Sequence, residues 1–304
     1  MIPIVVAFTP NYFVPAVVTI SSILKNWDSS EAINLIVLST GELPQRQKDK
    51  LAEFCGNKVQ ISYKDLSGRL SGLYVDERYT EAASYRLLLP DLLEEYDKAI
   101  YIDCDIVVRN DLSRLYNSID LSNYYLAGVY EAVLDFQVQR MESIGCDPER
   151  YINSGFLVLN LEQLRKDRMT KKLLEALKVD YLEFPDQDVL NIVCESRIQG
   201  LPPYYNSIRT FYLPQYKETF LKKYTKDEWD IVQKRGNVHY TGGKPWRMFT
   251  VEFLIWWREY DELPEYIKIE WKEDFKMRLI YNIYKTSIGY SAIEFLRKLY
   301  RRCL

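Results

Sequence analysis

Two aspartates, Asp103 and Asp105, interrupt an apolar run that extends from Ala99 to Val108. Such a run predicts a buried strand, in which residues two apart point to the same side. Two buried carboxylates that point the same way repel each other, and their burial is costly unless something positive lies on them. Hard divalent cations prefer oxygen ligands of this kind. The pair therefore predicts a metal site at this strand.

The chain contains one histidine, His239, which is followed by Gly242, Gly243 and Lys244. Neutral imidazole binds Mn²⁺-like metals beside carboxylates, so His239 is the expected third ligand. The alternative is a buried imidazole with ordinary hydrogen bonds. The glycines let the backbone approach a phosphate, and Lys244 adds a positive charge. Together with the aspartates, this segment predicts a metal-held diphosphate.

Polar side chains also interrupt the apolar second half of the chain, at Asn153-Ser154-Gly155 and at Asp186-Gln187. Amide and carboxylate groups can read sugar hydroxyls through paired donors and acceptors. The alternatives are a turn at 153–155 and a helix cap at Asp186. Arg86 lies in an apolar helical segment, where its guanidinium either binds a carboxylate or extends to the surface.

Apolar periodicity predicts strands over 2–8, 35–38, 59–63, 99–108, 126–130, 156–159 and 197–201, and helices over 14–24, 44–55, 82–95 and 161–179. This alternation predicts an α/β fold with a mostly parallel central sheet flanked by helices. Ligands of such folds bind beyond the carboxyl ends of the strands, where residues 9–11 and 103–105 fall. The sequence has neither a G-x-G-x-x-G nor a Walker A pattern, which weighs against dinucleotide oxidoreductases and P-loop NTPases.

The bulk composition is that of a soluble globular protein, with 304 residues, 47% apolar and 27% charged. The formal net charge of −3 makes nucleic acid an unexpected partner. Five cysteines without C-x-x-C spacing predict a reducing compartment. The N-terminal apolar run lacks the basic flank of a signal peptide, and no apolar run approaches the ~20 residues of a membrane span. We therefore expect a cytoplasmic protein.

Six segments of the chain, in order and at family-like spacing, resemble the bacterial lipopolysaccharide sugar transferases of glycosyltransferase family 8, which also contains glycogenin. These segments are residues 7–12, 84–87, 101–105, 153–155, 186–188 and 239–246. The resemblance implies a GT-A nucleotide-sugar-binding fold for a catalytic domain at 1–250. Residues 251–304 are then a helical, basic C-terminal segment.

The resemblance also implies the reaction, which is transfer of galactose or glucose from a UDP-hexose to a glycan or glycolipid with retention of the anomeric configuration. It implies Mn²⁺, with Mg²⁺ as the alternative, and a role in lipopolysaccharide or surface polysaccharide synthesis. The implied metal ligands are Asp103, Asp105 and His239. The implied substrate contacts are Thr9, Asn11 and Tyr12 on the uridine, Gly242 and Lys244 on the diphosphate, and Arg86, Asp103, Glu131, Asn153, Asp186 and Gln187 around the donor sugar.

Within that set, Asp186 and Gln187 are the implied catalytic residues, with Gln187 at the reacting face. The chain departs from the family pattern at three places. Thr9 stands where the family often has Asp, so its uracil contact must come from a hydroxyl or from the backbone. Glu131 also stands where Asp is frequent, and the loop from His239 to Lys244 is one residue shorter than the common form.

Two other functions fit parts of the sequence. The segment from Asp103 to Val107 also matches the D-x-D-x-[TV] strand of haloacid-dehalogenase phosphatases, whose first aspartate is a nucleophile. Those enzymes usually open with that strand and need a later Gly-Asp acidic motif, which this sequence lacks. A non-catalytic nucleotide-sugar-binding protein is the second alternative.

The C-terminal segment carries an unusual charge. From Phe275 to Leu304 it has seven basic residues and one acid, so its net charge is +6 and that of the preceding chain is −9. Apolar residues recur at helical spacing from Ile288 to Leu299. We expect this helix to lie on the anionic inner face of the cell membrane, near a membrane-bound acceptor. The alternative is a helix packed on the protein with a solvated basic face.

Overall fold

The computed structural model describes residues 1–72, 81–179 and 181–302. The strands of this part of the chain are β1 Ile2–Ala7, β2 Ile33–Ser39, β3 Val59–Asp65, β4 Lys98–Asp103, β5 Ile106–Val107, β6 Leu126–Tyr130, β7 Ile152–Asn160, β8 Ile198–Gly200 and β9 Val238–His239. Seven of them form one sheet in the order β3-β2-β1-β4-β7-β6-β8. Strand β7 runs antiparallel to both of its neighbours, whereas the other pairs are parallel. The prediction of a mostly parallel sheet is confirmed.

The helices of the described chain are α1 Phe13–Lys25, α2 Gln45–Cys55, α3 Glu81–Ser84, α4 Leu89–Leu92, α5 Leu112–Ser118, α6 Asp135–Ser143, α7 Leu161–Lys166, α8 Met169–Ala176, α9 Pro185–Cys194, α10 Lys217–Lys223, α11 Lys226–Arg235, α12 Phe253–Asp261, α13 Glu265–Lys268, α14 Phe275–Tyr284 and α15 Ser287–Arg302. Short 3₁₀ helices connect several of them. None of the helices that the structure describes is both long and apolar enough to cross a membrane.

Apolar side chains cover both faces of the sheet. On one face, alternate residues such as Val6 and Ile102 pack into a core with α1 and α12. On the other face, Val5 and Tyr101 pack with α8 and α9. Strands buried on both faces need apolar side chains at successive positions, which explains the nearly continuous apolar runs of the sequence.

The segment predicted as one strand over 99–108 is two strands in two sheets, so that prediction is wrong. Strand β4 ends at Asp103, and a turn at Cys104 and Asp105 leads into β5, which pairs with β9. Ile106 is the pairing partner of His239. The break therefore carries the second aspartate out of the main sheet and next to the only histidine of the chain.

Two predicted helices are also interrupted. The segment over 82–95 consists of α3, a 3₁₀ turn at Tyr85–Leu88 and α4, which ends at Leu92. The segment over 161–179 is divided into α7 and α8, because Arg168 adopts a left-handed conformation with φ of 53°. Periodicity identified the helical character of both segments but not these local breaks.

Much of the chain beyond residue 250 packs on the rest of the protein. Trp256, Trp257 and Tyr260 of α12 are buried in the core that contains α1. Lys25 of α1 contacts two glutamates of this segment at 2.6 Å. Glu270, which follows α13, lies 2.6 Å from Lys50 of α2. These contacts attach α12 and α13 to the rest of the protein. Tyr281 and Tyr284 attach α14 to the same core, whereas the other faces of α14 and α15 carry exposed apolar side chains.

Candidate functional site

Three of the predicted site residues meet at the carboxyl end of β4. Asp103 is the last residue of that strand, Asp105 lies in the turn after it, and β9 supplies His239. Nε2 of His239 is 3.3 Å from Oδ1 of Asp105 and 4.0 Å from Oδ2 of Asp103. One ligand atom from each residue falls within 4.8 Å of the others. Two carboxylates and one imidazole form a donor set suited to a divalent cation.

The surroundings of Asp103 fit a bound cation. Its Oδ1 accepts hydrogen bonds from Arg86 at 2.8 Å and from the Tyr101 hydroxyl at 2.9 Å. Its Oδ2 accepts none from the residues that the structure describes and faces the other two ligands. A Cβ at Gly155 would lie 2.9 Å from this oxygen, so only glycine leaves the cluster its space. These features leave one carboxylate oxygen available for a metal.

Lys244 forms an ion pair with Oδ2 of Asp105 and also donates to the backbone oxygen of Tyr240 at 2.8 Å. Burial acts to raise the pKa of Asp105, but Lys244 and His239 outweigh it and hold that pKa well below its usual range. Asp105 therefore stays ionised, as a metal ligand must be. The predicted phosphate-binding lysine thus lies directly beside the predicted metal site.

Arg86 is 4% exposed and binds carboxylates of the protein itself. Besides Asp103 it contacts Oδ2 of Asp186 at 3.2 Å, and its guanidinium stacks over the Tyr101 ring at 4.4 Å. Burial acts to lower the pKa of Arg86, but the two carboxylates outweigh it and raise that pKa above its usual value. It also donates to Ser154 Oγ at 2.9 Å. Arg86 therefore connects the candidate metal ligand Asp103 to Asp186, a predicted sugar contact.

Asp186 and Gln187 lie in the first turn of α9, which begins at Pro185 with Phe184 as its N-cap. The alternative that Asp186 caps this helix is therefore wrong. Oδ2 of Asp186 accepts a hydrogen bond from Ser154 Oγ at 3.0 Å, and burial raises the pKa of Asp186. The Gln187 side chain accepts the Ser154 backbone N–H at 3.0 Å. Both side chains thus point across to β7.

Asn153 lies in strand β7, not in the turn that was its alternative. Its Nδ2 is 3.0 Å from Oε1 of Gln187 and 3.2 Å from Oε1 of Glu131. Glu131 also accepts a hydrogen bond from Nε2 of Gln187 at 3.3 Å, and burial raises its pKa. Three of the predicted sugar contacts therefore form one hydrogen-bonded group: Glu131, Asn153 and Gln187.

Most of the side chains described above line one cavity of about 550 Å³. Its lining includes most of the predicted site residues: Arg86, Asp103, Asp105, Glu131, Asn153, Asp186, Gln187, His239, Gly242 and Lys244. Gly242 has φ of +81°, a conformation that glycine adopts without strain. Further aromatic and polar side chains form its outer part, among them Phe136, which is 78% exposed.

The three predicted uridine contacts are not among the described residues that line this cavity. Asn11 and Tyr12 line a second cavity of about 300 Å³ together with Trp246 and residues 271–274. The Tyr12 ring lies edge-on to Trp246, with ring centroids 5.5 Å apart. Thr9 is at the carboxyl end of β1 and is not among the described residues that line either cavity. Tyr12 nevertheless lies near the candidate metal ligands, since the charges of Asp105 and Asp103 add to burial in raising the pKa of its hydroxyl.

Sequence reasoning gave no individual role to two buried partners of the site. Asp188 is fully buried in α9 and bonds to the Tyr151 hydroxyl and to Arg140, and it accepts the Phe184 backbone N–H at 3.0 Å. Asn206 is equally buried and lies 2.8 Å from Nδ1 of His239. A carboxylate or an amide within an apolar stretch is the available signal, because such groups need partners when buried.

Comparisons with known proteins identify the family of this chain. A family model described as Glycosyl transferase family 8 matches residues 3–250. General stress protein A of Bacillus subtilis (strain 168) is 29% identical over 237 residues, which are 75% of this chain and 82% of that protein. A lipopolysaccharide 1,2-glucosyltransferase of Escherichia coli (strain K12) is 29% identical over 271 residues, which are 83% of this chain and 78% of that protein.

Solved structures show the same fold. The galactosyltransferase LgtC, solved in complex with donor and acceptor sugar analogs, superposes with a TM-score of 0.71 at 21% identity over 88% of this chain and all of that one. The bifunctional glycosyltransferase WbbM has a TM-score of 0.74 at 22% identity over 88% of this chain and 51% of that one. The expected GT-A fold is confirmed. The family match covers most of the chain and contains every residue of the metal-ligand cluster, so this protein is a glycosyltransferase that belongs to glycosyltransferase family 8.

Proposed function

We propose that this protein is a metal-dependent, retaining hexosyltransferase that moves galactose or glucose from a UDP-sugar to a glycan or glycolipid acceptor. The observation that carries the proposal is the convergence of Asp103, Asp105 and His239 in the same cavity as Asn153 and Gln187. A metal site and a group of sugar-reading amides in one cavity suit a donor with a diphosphate and a sugar. The phosphatase alternative is not favoured, since the family match covers residues 3–250.

The relatives support a role in lipopolysaccharide or surface polysaccharide synthesis. They include lipopolysaccharide 1,2-glucosyltransferases of Escherichia coli and a lipopolysaccharide 1,3-galactosyltransferase of Salmonella typhimurium (strain LT2). Both hexoses therefore occur among the products of similar chains. We propose glucose and galactose as the first donors to test.

The metal ligands in this proposal are Asp103, Asp105 and His239, with Mn²⁺ the expected ion and Mg²⁺ the alternative. When bound, such a cation neutralises the charge that develops on the leaving diphosphate. The Lys244 ammonium lies beside the proposed ligand Asp105 and can exchange this ion pair for one with a phosphate oxygen. A Cβ at Gly242 would have no other atom within 4 Å, so the backbone there is open to a phosphate as well.

The sugar-side residues hold the donor hexose and exclude water. Asp186 and Gln187 enter from α9, and Gln187 presents its amide towards Glu131. The hydroxyls of a hexose can exchange hydrogen bonds with these amide and carboxylate groups. Enclosure in the cavity favours the acceptor hydroxyl over hydrolysis. In this proposal Thr9, Asn11 and Tyr12 contact the uridine, which then extends beyond the metal towards the second cavity.

UDP release from a panel of UDP-sugars with Mn²⁺ tests this function. We expect Asp103→Asn and Asp105→Asn to abolish release while the protein stays folded, because each removes one charge from the metal site. Asp120→Asn is the matched control, since Asp120 is exposed and is not among the described residues that line the cavity. The product sugar should be α-linked by NMR. Normal turnover in either site variant contradicts the proposal, as does phosphate release from monoesters or donor binding without turnover.

We also propose that α14 and α15 lie on the anionic cytoplasmic face of the cell membrane. Large apolar side chains are exposed along these two helices: Phe275, Leu279, Ile283, Ile288, Tyr290 and Phe295. Basic residues are abundant in the same segment, with Lys276 and Lys285 at the two ends of α14. An apolar face beside cations is the pattern of a helix that binds anionic lipid. The four described cysteines are free, in keeping with a reducing compartment.

Co-sedimentation of the full chain with vesicles tests the membrane proposal. We expect binding to vesicles that contain anionic lipid at low salt and release at high salt, since salt screens the charges. Replacing Phe275 and Ile288 together by glutamate should abolish binding without loss of turnover on a soluble acceptor. Equal binding by this variant and the parent chain contradicts the proposal.

A further inference from the structure

A continuous set of side-chain amides connects His239 to the sugar-side residues. Nδ1 of His239 is 2.8 Å from Oδ1 of Asn206. Nδ2 of Asn206 donates to Oδ1 of Asn153 at 2.9 Å, and Nδ2 of Asn153 donates to Oε1 of Gln187 at 3.0 Å. Nε2 of Gln187 then donates to Glu131. We call these residues the amide relay.

Backbone donors fix the direction of the relay at two points. The N–H of Gly155 donates to Oδ1 of Asn153 at 3.1 Å, so this atom of Asn153 is an oxygen that accepts. The N–H of Ser154 donates to Oε1 of Gln187 at 3.0 Å, which fixes the Gln187 amide in the same way. A backbone N–H cannot accept, whereas an amide side chain can be reversed. Both backbone donors therefore imply the same order of hydrogen-bond donors and acceptors along the relay.

The direction of the relay determines the tautomer of His239. Because Oδ1 of Asn153 is an acceptor, Asn206 must present its NH₂ group there. Its own Oδ1 then faces Nδ1 of His239, which must carry a hydrogen. In a neutral imidazole the other nitrogen, Nε2, is then an unprotonated acceptor. Nε2 is the atom that points at the two aspartates.

We propose that Asn206 is a positioning residue, which holds His239 as its Nδ1–H tautomer so that Nε2 is available to a cation. The inference rests on the metal site of the proposed function. Partners of this kind on a ligand histidine fix both its ring orientation and its tautomer. The same relay ends on Gln187 and Glu131, so the position of the metal-binding imidazole depends on the residues that face the sugar. No sequence motif marks Asn206, which lies between Tyr205 and Ser207.

The single histidine of the chain allows a direct test. In untagged protein with ¹⁵N-labelled histidine, a long-range ¹H–¹⁵N NMR spectrum contains one imidazole. At alkaline pH, where imidazole is neutral, we expect protonated Nδ1 and unprotonated Nε2, and diamagnetic Mg²⁺ should shift the Nε2 resonance. An Nε2–H tautomer, or a mixture of the two, overturns the inference. The tautomer is read without catalysis, so an inactive protein with Nδ1–H would contradict only the proposed function.

Variants of Asn206 test its effect on the cation. We expect Asn206→Ala to raise the Kd for Mn²⁺, measured by electron paramagnetic resonance, by about 10- to 100-fold. Asn34→Ala is the control, since Asn34 is also buried but bonds to Tyr96, on another part of the sheet. Asn206→Asp keeps an acceptor for Nδ1–H and should recover most of the Mn²⁺ affinity. Wild-type affinity in Asn206→Ala overturns the inference, and if that variant does not fold, the tautomer spectrum decides it.

Discussion

Replacement of Gly155 by alanine places one methyl group inside the metal-ligand cluster. Built on the backbone, the new Cβ lies 2.3 Å from Cε1 of His239 and 2.9 Å from Oδ2 of Asp103. Carbon atoms in contact are normally about 3.5–4.0 Å apart, so the imidazole must move by roughly 1 Å or more. Gly155 does not have a positive φ, and alanine therefore adds no backbone strain. The substitution acts on the two ligands alone.

The expected magnitude follows from that displacement. Metal–ligand distances tolerate changes of about 0.2 Å, and a misplacement of about 1 Å costs about 100-fold in rate. We therefore expect Gly155→Ala to raise the Kd for Mn²⁺ and to lower turnover by about 100-fold each. Overpacking in a core costs about 1–3 kcal/mol, so the free energy of unfolding should fall by that amount. The loss of metal affinity should greatly exceed the loss of stability.

Gly128→Ala in the neighbouring strand β6 separates the two effects. Its Cβ would lie 2.9 Å from Cδ1 of Ile152, so it crowds the same sheet away from the ligands. Electron paramagnetic resonance gives the Mn²⁺ affinity, and urea unfolding gives the stability of both variants. We expect similar losses of stability and a loss of metal affinity in Gly155→Ala alone. Unchanged Mn²⁺ affinity in a folded Gly155→Ala protein would refute the assignment of the cluster as a metal site.

Two further predictions concern buried charges. Arg86→Met leaves Asp103 and Asp186 without the guanidinium that pairs with them. The free energy of unfolding, measured by urea titration, should therefore fall by about 3–5 kcal/mol. Adding Asp186→Asn to this variant should restore part of that loss. Burial opposes ionisation of Glu270, but Lys50 outweighs it and lowers the pKa of this carboxyl. Glu270→Gln should therefore cost about 1–2 kcal/mol at neutral pH. Thermal scans should show this difference shrink as the pH falls from the ordinary glutamate range through the lowered pKa of Glu270, because the carboxyl of the parent chain is then protonated.

The sequence predicted the central residues of the site because their chemistry is unusual wherever they fold. Asp103 and Asp105 in an apolar run, and a lone histidine before two glycines, needed no knowledge of the fold to be singled out. The strands of the seven-stranded sheet were also largely predictable, since burial on both faces requires continuous apolar runs. The helix break at Arg168 was not, because a left-handed conformation at one residue has no periodic pattern.

The parts that sequence reasoning missed depend on distant pairings. The run from Ala99 to Val108 is divided because β5 pairs with β9, more than a hundred residues later. Asn206 becomes a partner of His239 because the neighbouring Ser207 pairs with Val238, the first residue of β9. Nothing local marks either contact. Buried polar residues such as Asp188 give a warning that a partner exists, but only the fold identifies it.

The charges of the cavity favour the cation that we propose for it. In the described part of the chain its lining carries four carboxylates and three basic side chains: Asp103, Asp105, Glu131 and Asp186 against Arg86, Arg209 and Lys244. With these groups ionised, the cavity has one net negative charge, which repels a diphosphate. A divalent cation held by Asp103, Asp105 and His239 would reverse that sign, and Lys244 could then exchange Asp105 for a phosphate of the donor. In the proposed function the cation and the anionic donor are thus linked by charge, and the amide relay links His239 to the residues proposed to face the sugar.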